Sequence, residues 1–381
     1  MDIYTNESHD KLRQKVREFA ENEVKPLSRE LDEKEQFSPK LSKRMGELGL
    51  FGITIDPKFG GKGLDYLSFI IAIEELARID SSQAAILASH NSLGIGPIYN
   101  YGTEEQKQKY LPKLCTGDAL WAFGLTELTA GSDSRGTKSK AVLDGNEWLI
   151  NGSKMFISNA STEISAGVTI QVITDENDGK KELSTIIVDR NTPGYRAEKI
   201  RGKMMWRAID TARLYFENVR VPKENLLGGI GNGSKIMLET LDSGRLTIAA
   251  MGLGLARGAF ELAYNYAQTR EQFGKKISKF QAIAFKFADM ATKIELAKNT
   301  LYHACWLKDN GHPFAKEAAM SKLYCSEIAR EIADEALQIH GAYGLMREYD
   351  IERFYRDQRL LQIGEGTSEI LRIVISRHLG L

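Results

Sequence analysis

The segment Gln362-Ile363-Gly364-Glu365-Gly366-Thr367-Ser368-Glu369 holds the residue most directly suited to chemistry. A carboxylate stands between two glycines where a helical pattern begins, beside Ile363 and Ile370. Glycines clear space, so a substrate can lie against the carboxylate. Apolar surroundings raise a glutamate pKa toward neutrality, as a general base requires. The same glutamate also suits a plain structural role, because negative charge near a helix N-terminus complements the helix dipole. A second segment, Phe123 to Asp133, combines small residues that permit close backbone approach with hydroxyls that can bond a flat ligand's heteroatoms or a phosphate. It reads equally well as a turn-rich loop.

Other chemistries find little support. Gly252-Leu253-Gly254 with Gly258 imitates a dinucleotide fingerprint, but no second apolar strand ending in an acid follows; Tyr264 to Glu271 stays helical and polar. The preferred reading of these glycines is close helix packing. Gly228 to Lys235 lacks P-loop spacing and reads as an interdomain loop entering a helix. The six histidines form no HExxH pair, and there is no G-x-S-x-G elbow. Cys115, Cys305 and Cys325 are far apart and odd in number, which argues against zinc or a disulfide framework and fits a reducing compartment. No metal site is expected. Lys+Arg and Asp+Glu are equal at 51 each, so charge gives no reason to expect nucleic acid or an anionic membrane as partner. The N-terminus has no apolar core of a signal peptide and is not an acid-poor transit sequence, and no stretch reads as a membrane span; a soluble, cytoplasmic protein is expected.

These segments must be positioned by three blocks of structure. Residues 1–120 read as helices: Leu12, Val16, Phe19 and Val24 share a face, Ser38-Pro39 opens a helix that Gly49 stops, and Thr103 to Gln106 has capping-box spacing. Two long apolar helices are expected at roughly 65–79 and 82–100. Residues 121–228 are rich in β-branched residues and turn signals. Asp144-Gly145 and Asn151-Gly152 read as hairpin turns, and strands are expected at 168–173, 184–188 and 214–221. This middle block is expected to be a mostly antiparallel β-domain. From 229 to 381 the chain is helical again, with helices at about 234–267, 281–310, 314–340 and 367–378, the last capped by Thr367 or Ser368, suggesting a four-helix bundle. The class is α+β multidomain: an N-terminal helical domain, a middle antiparallel β-domain and a C-terminal four-helix bundle.

Taken together, the segments resemble the acyl-CoA dehydrogenase family over nearly the whole chain. The likeness rests on Leu125-Thr126-Glu127 with Ala130-Gly131-Ser132-Asp133, on Asn151 to Asn159, and on Asp210-Thr211 ahead of Val219-Arg220-Val221-Pro222. It continues through Arg270 to Lys275 with Gln281, Gln338 to Gly344, Arg353 to Asp357, and Gly364 to Thr367. Any one of these is weak; seven in order at sensible spacing are specific.

The resemblance implies an FAD-dependent oxidoreductase with Glu365 as the catalytic base. Phe123, Leu125, Thr126, Gly131 and Ser132 are expected to line the isoalloxazine, and Phe156, Ile157 and Ser158 to pack on its other side. Arg270, Gln272, Phe273, Phe280 and Gln281 resemble positions that hold the FAD of a neighbouring subunit. Gln338, Ile339, Gly341 and Ala342 resemble the segment contacting the adenosine-diphosphate half, and Thr367 and Glu369 complete the cofactor site. Ser132, Asp242, Arg245 and Gly366 resemble substrate contacts. Some members place the base on the helix just before the Arg245-like arginine; Gly244 stands there and cannot serve. The chain departs from the family pattern at Leu128, often proline, at Phe156, often tryptophan, and at Ala342, often a second glycine.

The expected reaction is α,β-dehydrogenation of an acyl-CoA to a trans-2-enoyl-CoA, with electrons passed to an electron-transferring flavoprotein, in a homotetramer built as a dimer of dimers. An enoyl-CoA reductase or an acyl-CoA oxidase on the same scaffold, or a non-catalytic acyl-CoA-binding protein, are the alternatives. Pocket depth is expected to be set by residues 85–97 and 240–250, with a short or medium straight chain as substrate.

Overall fold

The computed structural model describes residues 3–381. Polar caps start the N-terminal helices. Asn6 accepts from the Ser8 and His9 N–H groups to open α1 (Glu7–Phe19), which runs through a π-helical turn at Ala20–Val24 into α2 (Lys25–Glu33). Ser38 caps α3 (Pro39–Glu47), and Gly49 beyond it has φ +76°. α4 (Tyr66–Ala77) is buried along its whole length. α5 (Ser81–Ala88), α6 (Gly96–Tyr101) and α7 (Glu104–Leu114) follow, the last opened by the Thr103/Gln106 capping box. The helix expected over 82–100 is present, running unbroken from Ser81 to Tyr101, with a π-helical stretch at Ser89–Ile95 between α5 and α6. Such turns insert a residue into the helical repeat and re-aim the side chains around them. Gly94 lets this turn lie against the first strand, since a Cβ there would stand 2.5 Å from the Trp121 carbonyl oxygen.

The middle block is one eight-stranded sheet: β1 (Leu120–Gly124), β2 (Lys140–Asp144), β3 (Glu147–Ser158), β4 (Ser165–Asn177), β5 (Lys180–Asp189), β6 (Tyr195–Lys199), β7 (Thr211–Pro222) and β8 (Leu226–Leu227). The strand order is β6-β7-β3-β2-β4-β5-β8, with β1 parallel to β4; β2 also meets β4 in parallel, and the other pairs are antiparallel. Gly145 turns the β2–β3 hairpin as expected. Asn151-Gly152 does not make a turn. It lies inside β3, where the register against β7 slips between Ile150 and Gly152. The glycine serves close packing there: a Cβ would come 2.3 Å from Ser139 Oγ.

α8 (Gly233–Thr269) is the spine of the C-terminal block. A short hairpin of β9 (Glu271–Gln272) and β10 (Lys275–Lys276) leads into α9 (Gln281–Asp309), followed by α10 (Ala315–His340), α11 (Ile351–Asp357) and α12 (Ser368–His378). α8 is long and apolar enough by composition to cross a membrane, but Arg245 and Arg257 interrupt it and 78% of its most apolar window is buried in the fold, as in the core helix of a globular protein. Its glycines explain how it packs. A Cβ at Gly252 would stand 2.7 Å from the Cys325 carbonyl oxygen, at Gly254 2.3 Å from that of Glu74, and at Gly258 2.1 Å from that of Arg78. The fingerprint-like spacing is therefore helix contact against α10 and α4. One apolar core unites both helical blocks, and the sheet has its own.

Candidate active site

Glu365 lies three residues before α12, in a turn whose backbone few side chains adopt. Its φ is +54° and that of Gly366 +98°. A non-glycine residue with positive φ is uncommon and marks a conformation imposed by its surroundings. α10 imposes it. Ser326 Oγ donates to the Leu361 carbonyl (2.9 Å), and Lys322 Nζ donates to the Gly366 carbonyl (2.6 Å). Glu327 accepts from Gln362 Nε2 (2.7 Å) and Ser368 Oγ (2.8 Å) on either side of the turn. Thr367 Oγ1 then caps α12 by accepting from the Ile370 N–H. Among the described residues the Glu365 and Gly366 N–H groups make no backbone hydrogen bond.

The Glu365 side chain reaches into space vacated by α8. A Cβ built on Gly244 would stand 2.0 Å from Glu365 Oε2 and 3.2 Å from Leu93 Cδ2 of the π-helical turn. The residue as a whole keeps partial exposure, yet Oε2 is shielded from solvent and has no hydrogen-bond partner. Burial pushes the carboxyl up to about 7, against the opposing pull of Lys322 and Arg245. Arg245 is buried beside Asp242, with which it pairs, and its Nε has no partner. Ser243 between them is held from two sides: its carbonyl accepts from Tyr66 Oη (2.7 Å), its hydroxyl from Lys308 Nζ (2.9 Å). An ionisable carboxylate near neutrality, a free backbone N–H beside it and a buried guanidinium form a constellation for removing a proton from carbon and stabilising the resulting anion.

The segments from the sheet form a second wall. Lys154 and Glu127 make a buried ion pair (2.7 Å), and Glu127 also accepts from the Lys138 and Ser139 N–H groups (2.8 and 3.1 Å). Burial opposes the charge on Glu127, but Lys154 and these hydrogen bonds hold it below the ordinary range. This pair pins the loop after β1 to β3, as does the Met155 N–H donating to the Thr126 carbonyl (2.8 Å). Asn159 at the end of β3 donates to Ser89 Oγ (2.9 Å), joining this wall to the segment that carries Leu93. Phe156 has φ +61° and is 63% exposed, and Leu128 is 76% exposed. The hydroxyls of Thr126, Ser132 and Ser158 have no side-chain hydrogen bond among the described residues. Exposed apolar faces beside free hydroxyls suit a flat heteroaromatic ligand. Ile157 differs from expectation: strand alternation sends its side chain into the sheet core, so a ligand there meets its backbone.

The remaining expected residues gather elsewhere. Phe123 and Leu125 flank the pinned loop and Gly131 is exposed on it, while Glu369 is exposed in the first turn of α12. Arg270, Gln272, Phe273, Phe280 and Gln281 surround the β9–β10 hairpin, where Phe273 is 93% exposed and meets Phe280 edge-on. Gln338, Ile339, Gly341 and Ala342 end α10; the Arg270 guanidinium over the Tyr343 ring (5.3 Å) brings these two sets together. Gly244 and Thr269 are 25 residues apart on α8, so at 1.5 Å per residue this cluster stands about 38 Å from the Glu365 pocket along the axis. His90 is structural. It is fully buried, its Nε2 near the Leu114 carbonyl (2.8 Å) and its Nδ1 accepting from the Trp121 N–H (3.0 Å), and burial lowers its pKa to about 4. Sequence reasoning missed Lys322 and Tyr66, while Leu93 lies in the 85–97 segment expected to shape the pocket. For Lys322 a signal existed: a charged residue in the small, buried stripe Ala318, Ser321, Cys325 and Ala329 of α10. No cluster able to hold a metal ion occurs among the described residues.

Comparisons with known proteins agree in all three blocks. Family models described as the N-terminal, middle and C-terminal domains of acyl-CoA dehydrogenase match residues 6–118, 122–219 and 231–380. A short-chain-specific acyl-CoA dehydrogenase of Clostridium acetobutylicum is 43% identical over 99% of both chains, and an acryloyl-CoA reductase (NADH) of Anaerotignum propionicum is 44% identical over 99% of this chain and 95% of its own. Among solved structures, butyryl-CoA dehydrogenase from Megasphaera elsdenii superposes with a TM-score of 0.97 at 38% identity, covering 100% of both chains. A chain from work on the electron transferring flavoprotein of Acidaminococcus fermentans gives 0.96 at 44%, covering 100% and 99%. A glutaryl-CoA dehydrogenase from Mycobacterium smegmatis in complex with FADH2 gives 0.93 at 30%, covering 99% and 95%.

Proposed function

Because the chain belongs to the acyl-CoA dehydrogenase family, we propose that it is an FAD-dependent enzyme in which Glu365 removes the α-proton of a short-chain acyl-CoA. The observation that carries this reading is the Glu365 carboxylate, shielded, without a partner at Oε2 and ionising at about 7 in the space left by Gly244. Burial favours the neutral form, so accepting a proton relieves rather than creates a buried charge. Arg245 and Lys322 oppose this enough to keep the base form populated at neutral pH. The free Glu365 N–H is suited to donate to the thioester oxygen as negative charge develops there. Thr126, Ser158, Phe156 and Leu128 would hold the flavin, with free hydroxyls and apolar faces matching a ring of mixed polarity. When bound, FAD supplies the acceptor for the hydride leaving the β-carbon.

Two features favour an assembly. The Arg270–Phe273 and Gln338–Ala342 cluster stands too far from Glu365 to serve the same dinucleotide within one chain, so it would serve a neighbour's cofactor in a homotetramer, a dimer of dimers. The similarity to the Acidaminococcus chain supports an electron-transferring flavoprotein as electron acceptor, and the whole is read as a soluble cytoplasmic enzyme. The short acyl chain is supported by the Clostridium and Megasphaera relatives.

A second reading has one specific observation behind it: the 44% identity to an acryloyl-CoA reductase supports operation toward the saturated thioester. Both directions use the same carboxylate, as base in one and acid in the other. The test is anaerobic titration of the yellow protein with a panel of acyl-CoAs, alongside Glu365→Gln. Bleaching by short saturated thioesters in the wild type and not in the variant is the expected outcome. Bleaching by none, with reoxidation of pre-reduced flavin by short enoyl-CoAs, would favour the reductive reading, and failure to bind FAD would refute both.

A further inference from the structure

Lys322 has no place in the expected site, yet it is a fully buried cation whose charge bears on the proposed base. Its side chain is 0% exposed, it sits mid-helix in α10, and its Nζ donates 2.6 Å to the carbonyl of Gly366, the residue after Glu365. A buried ammonium costs stability unless a specific interaction compensates it. No carboxylate lies within ion-pair distance of it among the described residues, so the compensation is this carbonyl and the field of the acids around it. At such a position an apolar residue would pack at lower cost, so the charge itself asks for a reason.

We propose that Lys322 is the positioning residue for Glu365: its ammonium locks the Gly364–Gly366 turn through the Gly366 carbonyl and supplies the fixed positive charge that keeps the neighbouring carboxylate available as a base. The inference rests on the reading of Glu365 as the base. The two roles arise from one contact. The turn holds Glu365 at φ +54°, and the carbonyl that Lys322 grips follows that residue, so losing the grip loosens the strained backbone. The charge faces Glu365 across the same turn. Other groups face the carboxylate too: Tyr66 from α4, and from α8 Arg245, which adds a smaller positive pull than Lys322 and is paired with Asp242. Facing Lys322 are Glu327 of its own helix, occupied by Gln362 and Ser368, and Glu369 of α12. Lys308 of α9 acts on Asp242 rather than on Glu365. Lys322 therefore carries the positive field at the base that no acid pairs directly. Burial draws its own pKa down to about 8, so this field fades in mildly alkaline solution.

The test compares holoenzymes of wild type, Lys322→Met, Lys322→Gln and Lys322→Arg, with Glu365→Gln as reference. The readout is the rate of flavin reduction by butyryl-CoA in anaerobic single turnover across pH 5.5–9, with FAD content and melting temperature recorded for each. Lys322→Met is expected to move the acid limb of the rate upward by about one pH unit, so that the rate falls about tenfold below the limb and recovers above it. Lys322→Gln, which can still donate to the Gly366 carbonyl, should show the same limb shift with a smaller loss on the plateau. Lys322→Arg should restore the limb. If Lys322→Met does not accumulate folded, the neutral Lys322→Gln reads the same shift. A limb unmoved in both neutral variants, or a rate loss equal at every pH, overturns the proposal and leaves Lys322 a packing residue. If instead Glu365→Gln reduces its flavin as fast as wild type, the failure belongs to the reading of Glu365.

Discussion

Gly244→Ala isolates the carboxylate from the fold. The added methyl would stand 2.0 Å from Glu365 Oε2, whereas ordinary contact begins near 3.4 Å. The carboxylate must therefore retreat by about 1.4 Å, because the Gly244 backbone is fixed within α8, whereas the carboxylate is the end of a flexible side chain. The helix itself gains: Ala is favoured over Gly in a helix interior by roughly 0.5–1 kcal/mol. The melting temperature should hold or rise slightly while catalysis suffers, since a misplacement of about 1 Å can cost about a hundredfold in rate. Anaerobic stopped-flow bleaching by the acyl-CoA that reduces wild type gives the rate; the visible spectrum gives FAD content. A second arm tests the cause. Glu365→Asp withdraws the carboxylate by one methylene, so Gly244→Ala added to it has little left to displace and should cost little more, a clear departure from additivity. Wild-type reduction by Gly244→Ala, or two losses that simply add, would refute the reasoning.

Other outcomes follow from the same geometry. Wild-type single-turnover rate should rise with pH through an acid limb near 7, because only the ionised Glu365 accepts a proton and burial has raised its pKa; a limb near 4.5 would contradict this. Glu365→Gln should lower the rate by about 10²–10⁴-fold with FAD content unchanged. Glu127→Gln leaves Lys154 buried with its charge uncompensated, a defect of about 3–5 kcal/mol, so scanning calorimetry should show a lower melting temperature and the spectrum a lower FAD occupancy. Gly258→Ala places a methyl 2.1 Å from the Arg78 carbonyl oxygen and 2.5 Å from the buried Phe354 ring; neither the Arg78 backbone nor the packed ring yields easily, and a loss of about 1–3 kcal/mol is expected, with little change in rate for the enzyme that remains folded.

Much of the frame could be read from local chemistry. Asn6, Ser38 and Thr103 cap their helices with their own side chains, which accept from backbone N–H groups two or three residues on, and such interactions are encoded within a few residues. The α8 glycines read as helix contact because a dinucleotide fold needs a strand that the sequence lacks. The misreading and the omission are equally physical. Asn151-Gly152 is a strong hairpin signal on its own, but the flexibility that suits a turn also suits a strand whose register slips. The π-helical turn at Ser89–Ile95 has no compositional mark; it is one residue too many for the contacts on either side, and only tertiary packing makes that visible.

The site shows a sharper limit. Glu365 announces itself through its two glycines, but what makes it a base is spread over nearly three hundred residues: Leu93, Gly244 and Lys322 each meet it from a different element. Gly244 is the extreme case, since its contribution is an absent side chain, and absence has meaning only once the atom that fills the space is known. In one sequence Gly244 is merely a weak point in a helix. In the fold it is the space in which the carboxylate is buried, and burial is the largest influence on its ionisation. Helix stability forgone at position 244 is thus exchanged for the reactivity of position 365. That trade predicts that stabilising the helix there and preserving turnover are incompatible while residue 365 is glutamate.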